Sequence, residues 1–261
     1  MMRKLFALFL TICLFAPAAF SDNTTATPIL TYHNFDPSVP GSMTEDTTKF
    51  EAQLKWIKDN GYTVIPLKQL VSYLEGKTAS VPEKSVVITV DDGKESVYKY
   101  MLPIVRKYNI PVTLFIYPSA ISNASYAMTW AQLKELQNTG LFDIQGHTYW
   151  HPNFKHDKKN MLPADFQKDL DTQLVKSKKV LEQKMGTPVT LLAWPFGIYD
   201  NELEQAAQKA GYEMAFSIDG RPASRSENNM AQPRYLIVEG DSMQTFESII
   251  KNHQAVKHSE G

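Results

Sequence analysis

The sequence predicts an α/β fold in which one parallel sheet, closed or nearly closed, is wrapped by helices. Three observations predict it. Short apolar runs recur along the chain with amphipathic stretches between them, the β-then-α order of a parallel sheet. The 261 residues suffice for one large domain with a real core and contain no linker, internal repeat or low-complexity segment. The most chemically loaded motifs stand where apolar runs end, as they do at the rim of a β/α barrel.

In chain order, residues 1–21 come first and stand outside the fold. Arg3-Lys4 is a basic n-region, Leu5 to Phe15 an apolar h-region, and Ala16-Pro17-Ala18-Ala19 offers small residues for cleavage. This pattern reads as a secretory signal peptide, too short for a stop-transfer helix, and places the protein outside the cytoplasm, secreted or periplasmic. The domain then covers 22–261. Strands are expected at 28–32, 62–65, 85–90, 112–117, 142–145, 189–194, 213–217 and 234–238, each a short apolar run. Helices fill the intervals. Phe166, Leu170, Leu174 and Leu181 keep helical spacing, with Gly186 as the stop. Thr129-Trp130-Ala131-Gln132 has the form of a capping box. Residues beyond His253 read as a frayed tail.

Charge and cysteine narrow the function classes. Lys plus Arg is 27 and Asp plus Glu is 28, a net charge of −1, which becomes −3 once Arg3 and Lys4 are removed. No basic excess points to nucleic acid. The only cysteine, Cys13, lies in the h-region after Ile12, where lipoprotein processing wants a small residue. The mature chain has no thiol and no disulfide, so its stability comes from its core. No further segment approaches a membrane span.

The chemistry concentrates in two motifs. Ser85-Val86-Val87-Ile88-Thr89-Val90 ends on Asp91-Asp92-Gly93, which sets two carboxylates on one tight turn. Asp92 is placed to hold a metal and Asp91 to take a proton from the attacking water. Downstream, Gly146-His147-Thr148-Tyr149-Trp150-His151-Pro152 presents two histidines four apart, on a helical turn or compact loop. One carboxylate and two imidazoles form a three-ligand set with an open position, the form of a hydrolytic metal centre. Asp-Asp-Gly alone is an ordinary turn, and two spaced histidines alone are ordinary surface residues; the combination gives them weight. His156, in Lys155-His156-Asp157-Lys158-Lys159, reads as part of a solvated loop.

These two motifs, followed by Trp194-Pro195-Phe196-Gly197, resemble the polysaccharide deacetylase family, the NodB-homology domain of carbohydrate esterase family 4. The resemblance covers residues 28–252. It implies a distorted (β/α)7-8 barrel, a divalent metal (Zn2+ first, with Co2+, Ni2+ or Fe2+ as alternatives), and hydrolysis of N-acetyl groups from an N-acetylhexosamine polymer. It makes Asp91 the catalytic base and Asp92, His147 and His151 the metal ligands. Trp194, Pro195 and Phe196 become the substrate-binding stretch, with the Phe196 backbone N–H serving the oxyanion.

Two departures from the family pattern stand out. The family's Arg-x-Pro-Tyr arginine, which pairs with the base, is Ala193 here, and its Leu-x-His general acid is missing; His253 looks like a helix-end residue. The resemblance offers a substitute for each. Arg234 in Pro233-Arg234-Tyr235 takes the place of the arginine and orients Asp91. His33, in the opening Tyr32-His33-Asn34-Phe35, supplies the acid. Both resemble the branch that acts on poly-β-1,6-N-acetylglucosamine. Tyr149, Trp150 and Trp194 are either stacking faces for sugar rings or core residues. The same residues admit a peptidoglycan or chitin-oligomer substrate, or a non-catalytic carbohydrate-binding protein with a decayed site. A glycosidase would need two carboxylates flanking the scissile bond and no metal triad.

Overall fold

The computed structural model describes residues 25–255; the signal peptide expected at 1–21 and the last six residues lie outside them. The strands are β1 (Ile29–Tyr32), β2 (Asn34–Phe35), β3 (Thr44–Glu45), β4 (Thr63–Val64), β5 (Ser85–Asp91), β6 (Val112–Ile116), β7 (Phe142–Gly146), β8 (Leu191–Ala193), β9 (Met214–Phe216) and β10 (Tyr235–Leu236). Each expected strand is present, with shifted ends. β5 runs one residue past the expected end and takes in Asp91. β2 and β3 were not expected. They pair only with each other and are too short to show a periodicity.

The helices are α1 (Thr47–Asp59), α2 (Leu67–Leu74), α3 (Leu102–Tyr108), α4 (Trp130–Asn138), α5 (Phe154–Asn160), α6 (Pro163–Leu170), α7 (Ser177–Met185), α8 (Asn201–Lys209) and α9 (Met243–Ala255). α4 opens on the capping box, with Thr129 and Gln132 each bonding the other's backbone N–H. Phe166, Leu170, Leu174 and Leu181 are all buried, and Gly186 ends α7 in the left-handed conformation. Two expectations need correction. The charged stretch around His156 is helix α5, because Asn153 caps it and Phe154 anchors it in the core. His156 itself is exposed and pairs with Asp157. The tail expected after His253 is still helix as far as Ala255.

The main sheet runs in the order β10-β1-β5-β6-β7-β8-β9, with β4 beside the start of β5, and all its ladders are parallel. Parallel neighbours need crossovers, which the helices supply. The sheet curls until its edges approach. Residues 229–232 complete the curl as irregular backbone: Ala215 N–H donates to Asn229 O, Gln232 N–H to Ala215 O and Ser217 N–H to Gln232 O, each at 2.9 Å. This closure without a regular strand is what distorts the barrel.

Side chains alternate across the sheet. In β5, Val86, Ile88 and Val90 join the outer core beneath the helices. Val87 points inward with Ile29, Phe115, Leu191 and Phe216, and so, by register, do Thr89 and Asp91. The inner cluster also holds Leu67, Leu70, Val71 and Leu74 of α2, which closes the barrel end where the strands begin. Leu70 is fully buried there, a burial worth about 2 kcal/mol. The other end is left for polar residues.

Candidate active site

That end opens into a cavity of about 370 Å³, lined by His33, Asp91, Asp92, His147, His151, Trp194 and Phe196, with Met43, Ile218 and Leu236 on its apolar side. The polar residues arrive from separate strand ends. Asp91 closes β5, His33 follows β1, His147 and His151 follow β7, and Phe196 follows β8.

Asp92, His147 and His151 present ligand atoms that all lie within 4.8 Å of one another. Asp92 Oδ1 is 3.8 Å from His147 Nε2 and 3.8 Å from His151 Nε2. His147 is 1% exposed, and its Nδ1 lies 2.8 Å from the Ala193 carbonyl. A carbonyl only accepts, so Nδ1 carries the proton and Nε2 presents a lone pair. That Nε2 is buried without a hydrogen-bond partner among the described residues. An orphaned imidazole nitrogen facing a carboxylate and a second imidazole fits the coordination of a divalent cation.

The backbone is strained around these groups. Asp92 (φ 76°), Thr148 (φ 64°), His151 (φ 61°) and Phe196 (φ 57°) all occupy the left-handed region without being glycine. Gly93 follows Asp92 at φ 74°, where a Cβ would meet Ile116 and Ile121 side chains at 3.0 Å. Only glycine lets the turn drop Asp92 beside the histidines. Thr148 holds the histidine loop by accepting from His151 N–H at 3.2 Å. In the turn after β8, Gly197 N–H donates to Trp194 O and Ile198 N–H to Pro195 O, which leaves the Phe196 amide outside the turn's own bonding.

Asp91 is 2% exposed and meets Arg234, which is fully buried. Arg234 Nη1 donates to Asp91 Oδ1 at 2.9 Å and Nη2 to Oδ2 at 2.8 Å. Its Nε donates to Ser217 O at 3.0 Å, and Nη1 also reaches Thr89 Oγ1 at 3.2 Å. Burial pushes the Asp91 carboxyl up, but the guanidinium charge, His147 and the hydrogen bonds from Arg234 outweigh it and hold the group well below the ordinary carboxylate range. Burial lowers His33 from its ordinary value against the opposing pull of Asp91 and Asp92. His151 falls to about 4, from burial first and His147 second.

The expected residues thus separate into two groups. Asp91, Asp92, His147, His151, His33, Arg234, Pro195 and Phe196 meet at this end of the barrel. Phe196 is 57% exposed and lays its ring against His151, with centroids 4.5 Å apart. Trp194 is different: it is 1% exposed and its indole N–H donates to Met230 O at 2.7 Å, so it forms the cavity floor and offers no face for a sugar. Tyr149 and Trp150 pack against each other away from the cavity. Sequence reasoning missed Tyr117, whose ring lies 5.6 Å from that of His151 and 6.3 Å from that of His147. It follows β6, so the strand-end rule that found Asp91 also reaches it. Met43, Ile218 and Leu236 carry no such signal.

Comparison with known proteins agrees with this architecture. A sequence profile described as polysaccharide deacetylase matches residues 78–215. The chain is 29% identical over 208 residues to a poly-β-1,6-N-acetyl-D-glucosamine N-deacetylase of Staphylococcus aureus, covering 78% of this chain and 70% of that one. It is 31% identical over 226 residues to YxkH of Bacillus subtilis, a protein assigned to the polysaccharide deacetylases, covering 86% and 76%. The fold matches the Streptococcus pyogenes deacetylase PplD, solved with acetate, at a TM-score of 0.76 and 24% identity over 87% of this chain and 99% of that one. The profile match and the YxkH relationship together assign the chain: it belongs to the polysaccharide deacetylase family.

Proposed function

We propose that this chain is an exported, metal-dependent N-deacetylase that releases acetate from N-acetylglucosamine units of a polysaccharide, with poly-β-1,6-N-acetylglucosamine as the first candidate. One observation carries the reading: a buried, ionised carboxylate and a three-ligand set share one cavity at the strand ends of the barrel. Asp92, His147 and His151 would hold the divalent cation, zinc first by the chemistry of two imidazoles and a carboxylate. When bound, such a cation supplies a Lewis acid for the acetamide carbonyl and makes water more acidic.

The protein's own groups account for the remaining steps. Asp91 takes the proton of the attacking water, held in place and kept ionised by Arg234. The Phe196 N–H donates to the carbonyl oxygen as it gains negative charge. His33, across the cavity, gives a proton to the amine as the C–N bond breaks. Products are acetate and a free amine, so each turnover leaves the polymer more cationic. The Asp91–Arg234 pair supports a working site over a decayed one, because a residue just ahead of β10 restores the partner that position 193, an alanine, cannot supply. The signal-like residues 1–21 support export, and no helix among the described residues is long and apolar enough to cross a membrane.

The deciding experiment measures acetate release from β-1,6-linked N-acetylglucosamine oligomers, chitin oligomers and peptidoglycan. It uses chelator-stripped protein and protein reloaded with zinc, cobalt or nickel. Metal-restored release, greatest on the β-1,6 oligomers, is expected. Release from none of the three polymers by zinc-loaded protein, or release that a chelator leaves unchanged, would overturn the proposal.

A further inference from the structure

Between α6 and α7 the helix widens into a π-helical segment, Asp171–Lys176. Such insertions are frequent at functional sites. This one carries Gln173, fully buried on the same face as Leu170, Leu174 and Ser177. Its Oε1 accepts Tyr149 N–H at 3.1 Å and Trp150 N–H at 3.2 Å. Its Nε2 donates to Asp169 Oδ1 at 3.1 Å. Two N–H donors on one side and a carboxylate on the other admit a single orientation of the amide.

Both amides belong to the loop between His147 and His151. Ser177, one turn further along, donates to Thr148 O at 2.6 Å. Three backbone groups between the two histidines are therefore held by one helix face. His147 is fixed independently, through its own N–H to Ile116 O at 2.9 Å and its ring to Ala193 O. His151 is tied through its own N–H only to Thr148 Oγ1, inside the same loop, and that loop holds two left-handed residues, Thr148 and His151. A strained loop that loses its acceptors relaxes, and the displacement falls on His151.

We propose that Gln173, oriented by Asp169 and assisted by Ser177, is a positioning residue that fixes His151 relative to His147 for a divalent cation. This rests on the metal-site reading above. Gln173 is not part of the cavity wall and acts only through the loop.

The test compares Gln173→Leu, which keeps the volume and removes the acceptor, with Gln173→Glu, which keeps an acceptor. Burial already raises the Asp169 carboxyl, so that group can take the proton a second carboxylate requires. Zinc affinity is measured by competition with a chromophoric chelator, and geometry by the visible spectrum of the cobalt-loaded protein. Gln173→Leu is expected to bind zinc about tenfold more weakly with altered cobalt bands, and Gln173→Glu to return within about threefold of wild type. Wild-type affinity and spectrum in Gln173→Leu, or a Gln173→Glu no better than Gln173→Leu, would overturn the inference. Should Gln173→Leu not fold, Ser177→Ala decides by the same readouts: weaker zinc binding supports it, and wild-type behaviour overturns it. A wild-type protein that takes up neither metal overturns the metal-site reading itself and this inference with it.

Discussion

Replacing Arg234 by methionine keeps most of the side-chain volume and removes the charge from a fully buried position. Asp91, itself 2% exposed, then loses two charge-assisted bonds of 2.8 and 2.9 Å and stays behind as an unpaired buried carboxylate. Breaking such a pair from one side costs about 3–5 kcal/mol. At roughly 2–4 °C per kcal/mol for a domain of this size, unfolding should move down by about 6–20 °C at neutral pH. The pH dependence should also change sign. In the wild type the folded Asp91 lies below its unfolded value. Its contribution is therefore present above the ordinary carboxylate range and lost as pH falls through the folded pKa. Without Arg234 burial dominates and the folded pKa rises above the unfolded one. Acidification should then relieve the variant where it harms the wild type.

The assay is thermal unfolding of both proteins between pH 4 and 8, paired with acetate release across the same range. The acid limb of activity should move to higher pH in Arg234→Met, from below the ordinary carboxylate range to above it. Asp91→Asn combined with Arg234→Met should recover part of the lost stability, since no lone charge remains. An Arg234→Met protein that unfolds at the wild-type temperature, with its acid limb unmoved, would refute the reasoning.

Asp91→Asn should still take up zinc as the wild type does, measured by metal analysis after loading, while activity drops about a hundredfold or more; near-normal turnover would assign the base elsewhere. His33→Ala should also retain the metal and lose activity, with the basic limb of the pH profile altered because the proton donor is gone; an unchanged limb would remove His33 from the reaction. Glu45 gives a prediction about stability alone. It is 2% exposed, accepts from Gln53 at 2.7 Å, and burial pushes it up from 4.5 to about 7 despite Lys49 at 3.5 Å. Because the folded pKa lies above the unfolded one, ionisation destabilises, and the loss sets in as pH rises from 4.5 through about 7. Glu45→Gln should gain about 3 kcal/mol at pH 8, some 6–12 °C in melting temperature, and almost nothing at pH 4; a gain of equal size at both pH values would show that Glu45 titrates normally.

The parts of this molecule that were legible share a physical cause. Parallel strands are buried on both faces and so leave apolar runs, and their ends meet at one rim, which is why Asp91, Asp92, His147 and His151 could be grouped before any coordinates. α5 was misread because its charges are solvent-facing and one residue, Phe154, carries its burial; the capping Asn153 was the signal available. Trp194 shares its motif with the site yet faces the core, because Met230 O is there to take its N–H. β2 and β3 have no pattern long enough to read, so Met43 between them was invisible. The Arg234–Asp91 contact was expected from resemblance alone. It joins residues 143 apart in sequence through a curl that no local pattern encodes.

The seam where that curl closes has a consequence of its own. β9 meets residues 229–232 through a few backbone bonds, and β10 holds β1 by two paired residues. Arg234 lies across this join, gripping Ser217 O just past β9 with one edge of its guanidinium and Thr89 and Asp91 on β5 with the other. It is a clasp as well as a counter-ion. Sparse ladders open more readily than the rest of a fold. Any breathing that parts the seam must pull the clasp from the carboxylate, so the pairing of Asp91 with Arg234 lasts only while the ring is shut.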